Sequence, residues 1–170
     1  MTDPIRPEFR PLDPAALAGL DGRIAVLVEP GGRLGPAARA LDRATRRSLS
    51  RLVASPAWSK AKAGEATLLS WPAGLAAEAL AVIKLPRRPT GAEARAAGAA
   101  TARLRGNGPL AVAAGDWPML DELALALMLR AYDFADHRTG EREPQGPVTI
   151  LCRDPDRASA RLDALRAVAE

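Results

Sequence analysis

Residues 21–32 read Asp-Gly-Arg-Ile-Ala-Val-Leu-Val-Glu-Pro-Gly-Gly, and this stretch decides the fold. Ile24 to Val28 is a short unbroken apolar run with turn chemistry on both sides. A strand that faces water on one side alternates apolar and polar residues; an unbroken run fits a strand covered on both faces. Beyond it the period changes. Leu34, Ala38, Leu41, Thr45, Leu49 and Leu52 recur at helical spacing, and Pro36 suits a first helical turn. One amphipathic helix is expected over 36–53. A doubly buried strand feeding such a helix is the signature of an α/β layer structure.

The rest of the chain repeats that alternation. Residues 67–70 and 79–83 read as two strands joined through Pro72-Ala73-Gly74. Pro86 to Pro89 stops the second. Thr90 and Glu93 form a capping-box pattern that opens a helix reaching about Arg105, with a mostly alanine inner face that permits close packing. Gly106 to Pro109 ends it. Leu110 to Ala114 is a further strand. Asp116, Asp121 and Glu122 then give an acidic start, suited to the helix dipole, to a buried helix from Pro118 to Tyr132. Val148 to Cys152 is the last strand. Asp154-Pro155 opens a final helix with Ala158, Leu162, Leu165 and Val168 on one side. The pattern predicts an α/β domain whose parallel or mixed sheet carries helices on both faces. Residues 1–14, polar and rich in proline, are expected as a loose arm, and 15–170 as one domain.

The chain has 170 residues, 48% of them hydrophobic, enough for one domain with a real core. Net charge is +4, from 24 Lys and Arg against 20 Asp and Glu, and arginine dominates because Lys60, Lys62 and Lys84 are the only lysines. One cysteine, Cys152, excludes an internal disulfide framework. The N-terminal residues lack the apolar core of a signal peptide, and no apolar run approaches the ~20 residues of a membrane span. A cytoplasmic protein with no membrane partner is expected.

Several groups invite a chemical reading. Glu29 to Gly35 lies between a strand and a helix, where phosphate cradles occur, yet its glycines fit neither nucleotide-binding spacing and Pro36 removes a donor. A plain strand-to-helix turn is the favoured reading. Arg39, Arg43, Arg46, Arg47 and Arg51 form a basic stripe with Asp42 as its only acid. Such a stripe could contact nucleic-acid phosphates; a solvated face is the blander reading, and no aromatic residue interleaves the arginines. His137, the only histidine, lies in a polar stretch and reads as a surface turn. Cys152 reads as a small buried hydrophobe. Asp133 and Asp136 read as solvated caps. No catalytic constellation assembles, so no catalytic, cofactor-binding or metal-ligating residue is assigned.

The segment 123–140, LALALMLRAYDFADHRTG, holds the only tyrosine and one of two phenylalanines. Leu127, Leu129, Tyr132 and Phe134, then Arg138-Thr139 and the strand Val148 to Leu151, resemble the end of the N-terminal domain in the leucyl aminopeptidase (cytosol aminopeptidase) family. The strand Ile24 to Val28, Ala40-Leu41-Asp42 and Lys62 to Glu65 agree in order. The family usually has glycines after its third strand; this chain has Lys84-Leu85-Pro86. Independently of the resemblance, Phe134 is expected to pack inward as a plug closing the core.

The resemblance implies a macro-domain-like fold with a mixed sheet, in a non-catalytic N-terminal domain that helps arrange a homo-oligomer. It implies that the parent is a metallo-exopeptidase removing N-terminal amino acids. Its two divalent ions, Mn or Zn, would sit in a catalytic domain outside these residues. The alternative is a binding module for an ADP-ribose-type nucleotide, or for DNA through Arg39 to Arg51.

Overall fold

A computed structural model describes residues 5–136 and 145–169, and for 132–136 the helical backbone only. Six strands form one sheet in the order β1-β6-β5-β2-β4-β3. They are β1 (Glu8–Pro11), β2 (Arg23–Val28), β3 (Ala66–Ser70), β4 (Ala79–Lys84), β5 (Leu110–Gly115) and β6 (Val148–Cys152). All neighbours are parallel except β3, which runs antiparallel to β4. The parallel or mixed sheet read from the sequence is therefore a mixed, mostly parallel one.

Six α-helices cover it: α1 (Pro36–Ala44), α2 (Ser48–Val53), α3 (Pro56–Lys60), α4 (Gly91–Arg103), α5 (Leu120–Asp136) and α6 (Pro155–Ala169). The core is double because β2 and β4 point alternate residues to opposite faces. Ala25, Leu27, Ala81 and Ile83 pack with Ala97, Leu123, Leu127 and Leu162 on the side of α4, α5 and α6. Ile24, Val26, Val28, Leu80 and Val82 pack with Ala38, Leu41, Leu49 and Trp58 on the other. No residue from Ile24 to Val28 exceeds 2% exposure, as the unbroken apolar run requires. Burying each of the larger ones stabilises the fold by roughly 1.5–3 kcal/mol. The capping box at α4 forms as read. Thr90 Oγ1 accepts from the Glu93 amide at 3.1 Å, and Glu93 Oε1 accepts from the Thr90 amide at 2.9 Å.

Three expectations need correction. Residues 8–11, placed in a loose arm, form the edge strand β1 in parallel register with β6, Phe9 opposite Ile150. A proline is tolerated there because an edge strand has only one neighbour to bond. The single helix over 36–53 is two helices, with Arg46 and Arg47 between them at φ 53° and 66°. The break is held by side chains. Thr45 Oγ1 donates back to the Leu41 carbonyl at 2.7 Å. The Asp42 carboxylate accepts from the Ser50 amide at 2.9 Å and from its hydroxyl at 2.6 Å. These bonds offer the backbone an alternative to the helical ladder. Lastly, the face expected for α6 is shorter than read: Leu162 is buried, whereas Val168 is 86% exposed.

Candidate functional site

The sheet order creates a crevice. From β2 the chain moves toward β4, and from β5 toward β6, so the connections part between two neighbouring strands. Open α/β sheets bind ligands at the carboxyl ends of strands at such a point. Here a cavity of about 660 Å³ opens between the ends of β2 and β5 and the start of α1, walled by Leu27, Gly35, Ala38, Ala113 and Trp117. Its size suits a small molecule.

Its electrostatics are mixed. Glu29, Asp116, Arg33, Arg87 and Arg153 all line it. Arg87 spans the mouth: its Nη1 lies 3.2 Å from Asp116 and its Nε 3.9 Å from Glu29. Its guanidinium also sits 4.5 Å over the Trp117 ring, and Trp117 Nε1 donates to the Pro86 carbonyl at 3.0 Å. The charged groups are partly exposed, so the ion pairs orient Arg87 more than they stabilise the fold. The turn Glu29 to Gly35 forms part of the wall. Gly35 caps α1 without a side-chain bond, and Pro36 follows at the first helical position. The turn contributes both Glu29 and Arg33 to the crevice wall.

Cys152 also lines the crevice but is only 2% exposed. Burial pushes its thiol pKa up; a backbone bond from Asp154 pulls it down, and the charge of Asp154 adds to the rise. The thiol therefore stays protonated and is a poor nucleophile. Lys84, Leu85 and Pro86, standing where the resemblance expects glycines, are structural. Lys84 Nζ donates to the carbonyls of Trp58 and Ala61 at 2.7 and 2.9 Å, and Leu85 is 1% exposed.

The five arginines of the basic stripe are all exposed. The helix break gathers four of them, Arg39, Arg43, Arg46 and Arg47, around a second cleft of about 590 Å³ shared with Asp42 and Ser50. Arg51 is diverted: its guanidinium donates to the Arg46 carbonyl at 2.7 Å and to Ser48 at 3.3 Å. His137 and the Arg138-Thr139 pair lie outside the described residues. So do the side chains of Tyr132, Asp133, Phe134 and Asp136, including the inward packing expected of Phe134. Among the described residues, no group of three or more His, Cys, Asp or Glu could hold a metal ion. Among them too, no helix is long and apolar enough to cross a membrane.

No protein-family model matches the chain. A probable cytosol aminopeptidase of Cereibacter sphaeroides is 40% identical over 170 residues, which is 100% of this chain and 35% of that protein. The chain spans about a third of the length of the curated relatives it matches. Among solved structures, a variant of tomato leucine aminopeptidase superposes with TM-score 0.63 at 14% identity, covering 98% of this chain and 36% of that one. A Trypanosoma brucei macrodomain in complex with ADP-ribose gives TM-score 0.54 at 14% identity, covering 96% and 78%. At those identities the structures establish the fold alone, a macrodomain-like mixed sheet. The sequence match carries the relationship: along its whole length the chain is a homologue of part of the cytosol (leucyl) aminopeptidases, the family whose N-terminal domain its sequence resembles.

Proposed function

We propose that this chain is the non-catalytic N-terminal domain of a cytosolic metallo-exopeptidase of the leucyl aminopeptidase type, serving as an assembly scaffold for a homo-oligomer. The parent protein would remove N-terminal amino acids from peptides with a pair of divalent ions, Mn or Zn. The observation that carries the reading is 40% identity along the whole chain to about a third of a probable cytosol aminopeptidase. A bridged metal pair needs several converging carboxylates, and the described residues do not offer such a group. The purified chain supplied with Mn²⁺ or Zn²⁺ is expected to leave a leucyl anilide substrate intact. Turnover that survives purification and follows added metal would overturn the reading.

A second reading is a binding module for an ADP-ribose-type nucleotide. The crevice of about 660 Å³ supports it, as does the fold shared with a macrodomain solved with ADP-ribose. Pro36 at the first helical position, which removes an amide donor, weighs against it. Calorimetric titration with ADP-ribose separates the two: the scaffold reading expects a flat isotherm, and the nucleotide reading a saturable one of unit stoichiometry.

A further inference from the structure

The sheet has two outer strands, β1 and β3, and they are not protected alike. β1 carries Glu8 and Arg10, paired with each other at 2.8 Å, and ends on Pro11, which has no amide to offer. Charge and proline are how natural sheets keep other strands off an edge. β3 reads Ala66-Thr67-Leu68-Leu69-Ser70, without charge, proline or glycine. Its ladder with β4 fixes which groups it leaves over. The Lys84 amide donates to the Glu65 carbonyl at 3.0 Å and the Trp71 amide to the Glu78 carbonyl at 2.7 Å, one bond at either end of the register. Bonded pairs alternate along an antiparallel ladder, so Thr67 and Leu69 also face β4. Ala66, Leu68 and Ser70 therefore turn both amide and carbonyl away from it. Among the described residues no backbone outside the ladder bonds to these groups.

The same edge leaves both cores open. Leu68 packs against the core under α4 and α5, Leu69 against the one under α1, and both stay partly exposed. A strand laid beside β3 would bond the outward groups and shield both leucines. The symmetry of β3 itself points to the occupant. A second β3, turned antiparallel about Leu68, sets Leu68 opposite Leu68, Ala66 opposite Ser70 and Thr67 opposite Leu69. Each outward amide then meets an outward carbonyl, and no like charges face each other. Glu65, the charge beside the strand, falls opposite Trp71. A charged peptide would find no opposite charge on this strand.

We propose that two copies of this chain pair through β3, antiparallel and two-fold symmetric with Leu68 on the axis, so that their sheets join into one. The guarded β1 strands end the joined sheet on both sides, so the pairing closes at a dimer and does not run on into a fibre. The inference rests on the scaffold reading for its purpose and on the β3 edge alone for its geometry.

Sedimentation equilibrium of the whole chain is expected to show a reversible dimer with a Kd on the order of 10 µM, as suits a small interface. Amide hydrogen exchange, followed by NMR below and above that concentration, reads the contact itself. The amides of Ala66, Leu68 and Ser70 are expected to slow several-fold as the dimer forms, and those of Thr67 and Leu69, already bonded to β4, to change less. Ser70→Pro removes one outward amide from each copy and is expected to weaken the dimer by about tenfold or more, because the symmetry loses two bonds. Ser70→Ala keeps the amide and is expected to leave the Kd unchanged. An edge strand tolerates proline where the amide faces outward, and circular dichroism checks that the variant folds. If it does not fold, the exchange rates of the wild type decide alone. The proposal is overturned if the chain stays monomeric, if the three outward amides exchange at rates independent of concentration, or if folded Ser70→Pro dimerises as the wild type does. A dimer that survives the proline sits on another surface and leaves the scaffold reading standing. Metal-dependent turnover of the leucyl anilide would sink that reading without touching the β3 contact.

Discussion

Gly98→Val is expected to abolish the folded state, and Gly98→Ala to lower the urea midpoint by the equivalent of about 3 kcal/mol. Gly98 is buried in α4 where that helix crosses α5. A Cβ on it would lie 2.1 Å from the Leu123 carbonyl oxygen and 3.0 Å from the Ala126 Cβ. The obstacle is the backbone of a packed helix, which cannot swing aside as a side chain does. Making room means lifting α5, and with it Leu123 and Leu127, off the sheet. Val adds two methyls to the same gap, and the resulting loss rivals the ~5–15 kcal/mol that a domain has in total. Intrinsic propensity acts the other way, favouring Ala over Gly in a helix by about 1 kcal/mol. The sign is therefore decisive: a Gly98→Ala variant more stable than wild type would show that α4 and α5 do not cross at backbone contact.

Lys84→Met is expected to cost about 3 kcal/mol and to shift Trp58 emission to the red. Lys84 is 8% exposed at the end of β4. Its ammonium is met by the carbonyls of Trp58 and Ala61 at the C-terminal end of α3 and lies 5.4 Å over the Trp58 ring. No carboxylate stands within 4.0 Å of it among the described residues. The charge is thus satisfied by the negative end of a helix, two lone pairs and a ring face. Methionine keeps the apolar stem but leaves the Ala61 carbonyl without its lysine donor and the Trp58 carbonyl with only the Ala61 amide, and frees α3. Lys84→Arg is expected not to restore the midpoint, because a planar fork does not fit where a compact ammonium does. A wild-type midpoint for Lys84→Met would mean that α3 is held by Trp58 packing alone.

Both sites show why parts of this molecule were legible in its sequence and parts were not. The run Ile24 to Val28 announced a strand covered on two sides because burial on both faces removes every polar position. The Thr90–Glu93 box announced the start of α4 because its bonds are made within four residues. The edge strand at residues 8–11 gave no such sign. Glu8, Arg10 and Pro11 look like a linker, and what makes them a strand is β6, some 140 residues away in the register Glu8 to Thr149. The break after Ala44 was hidden for a similar reason. Arg46 and Arg47 are good helix formers, and the bond that overrules them joins Asp42 to Ser50 across the gap. The crevice draws its walls from the ends of β1, β2, β5 and β6, so only the assembled sheet displays it.

The position of β6 has a consequence for synthesis. It lies between β1 and β5, so the earliest strand of this sheet can dock only on the latest one. Until Val148 to Cys152 have emerged, a nascent chain holds β5 as a bare edge and keeps residues 8–11 without a partner. Such distant pairing delays closure and leaves strand edges open to other chains. The sheet is completed in a single late step, when the final strand slides in beside β5 and captures the first.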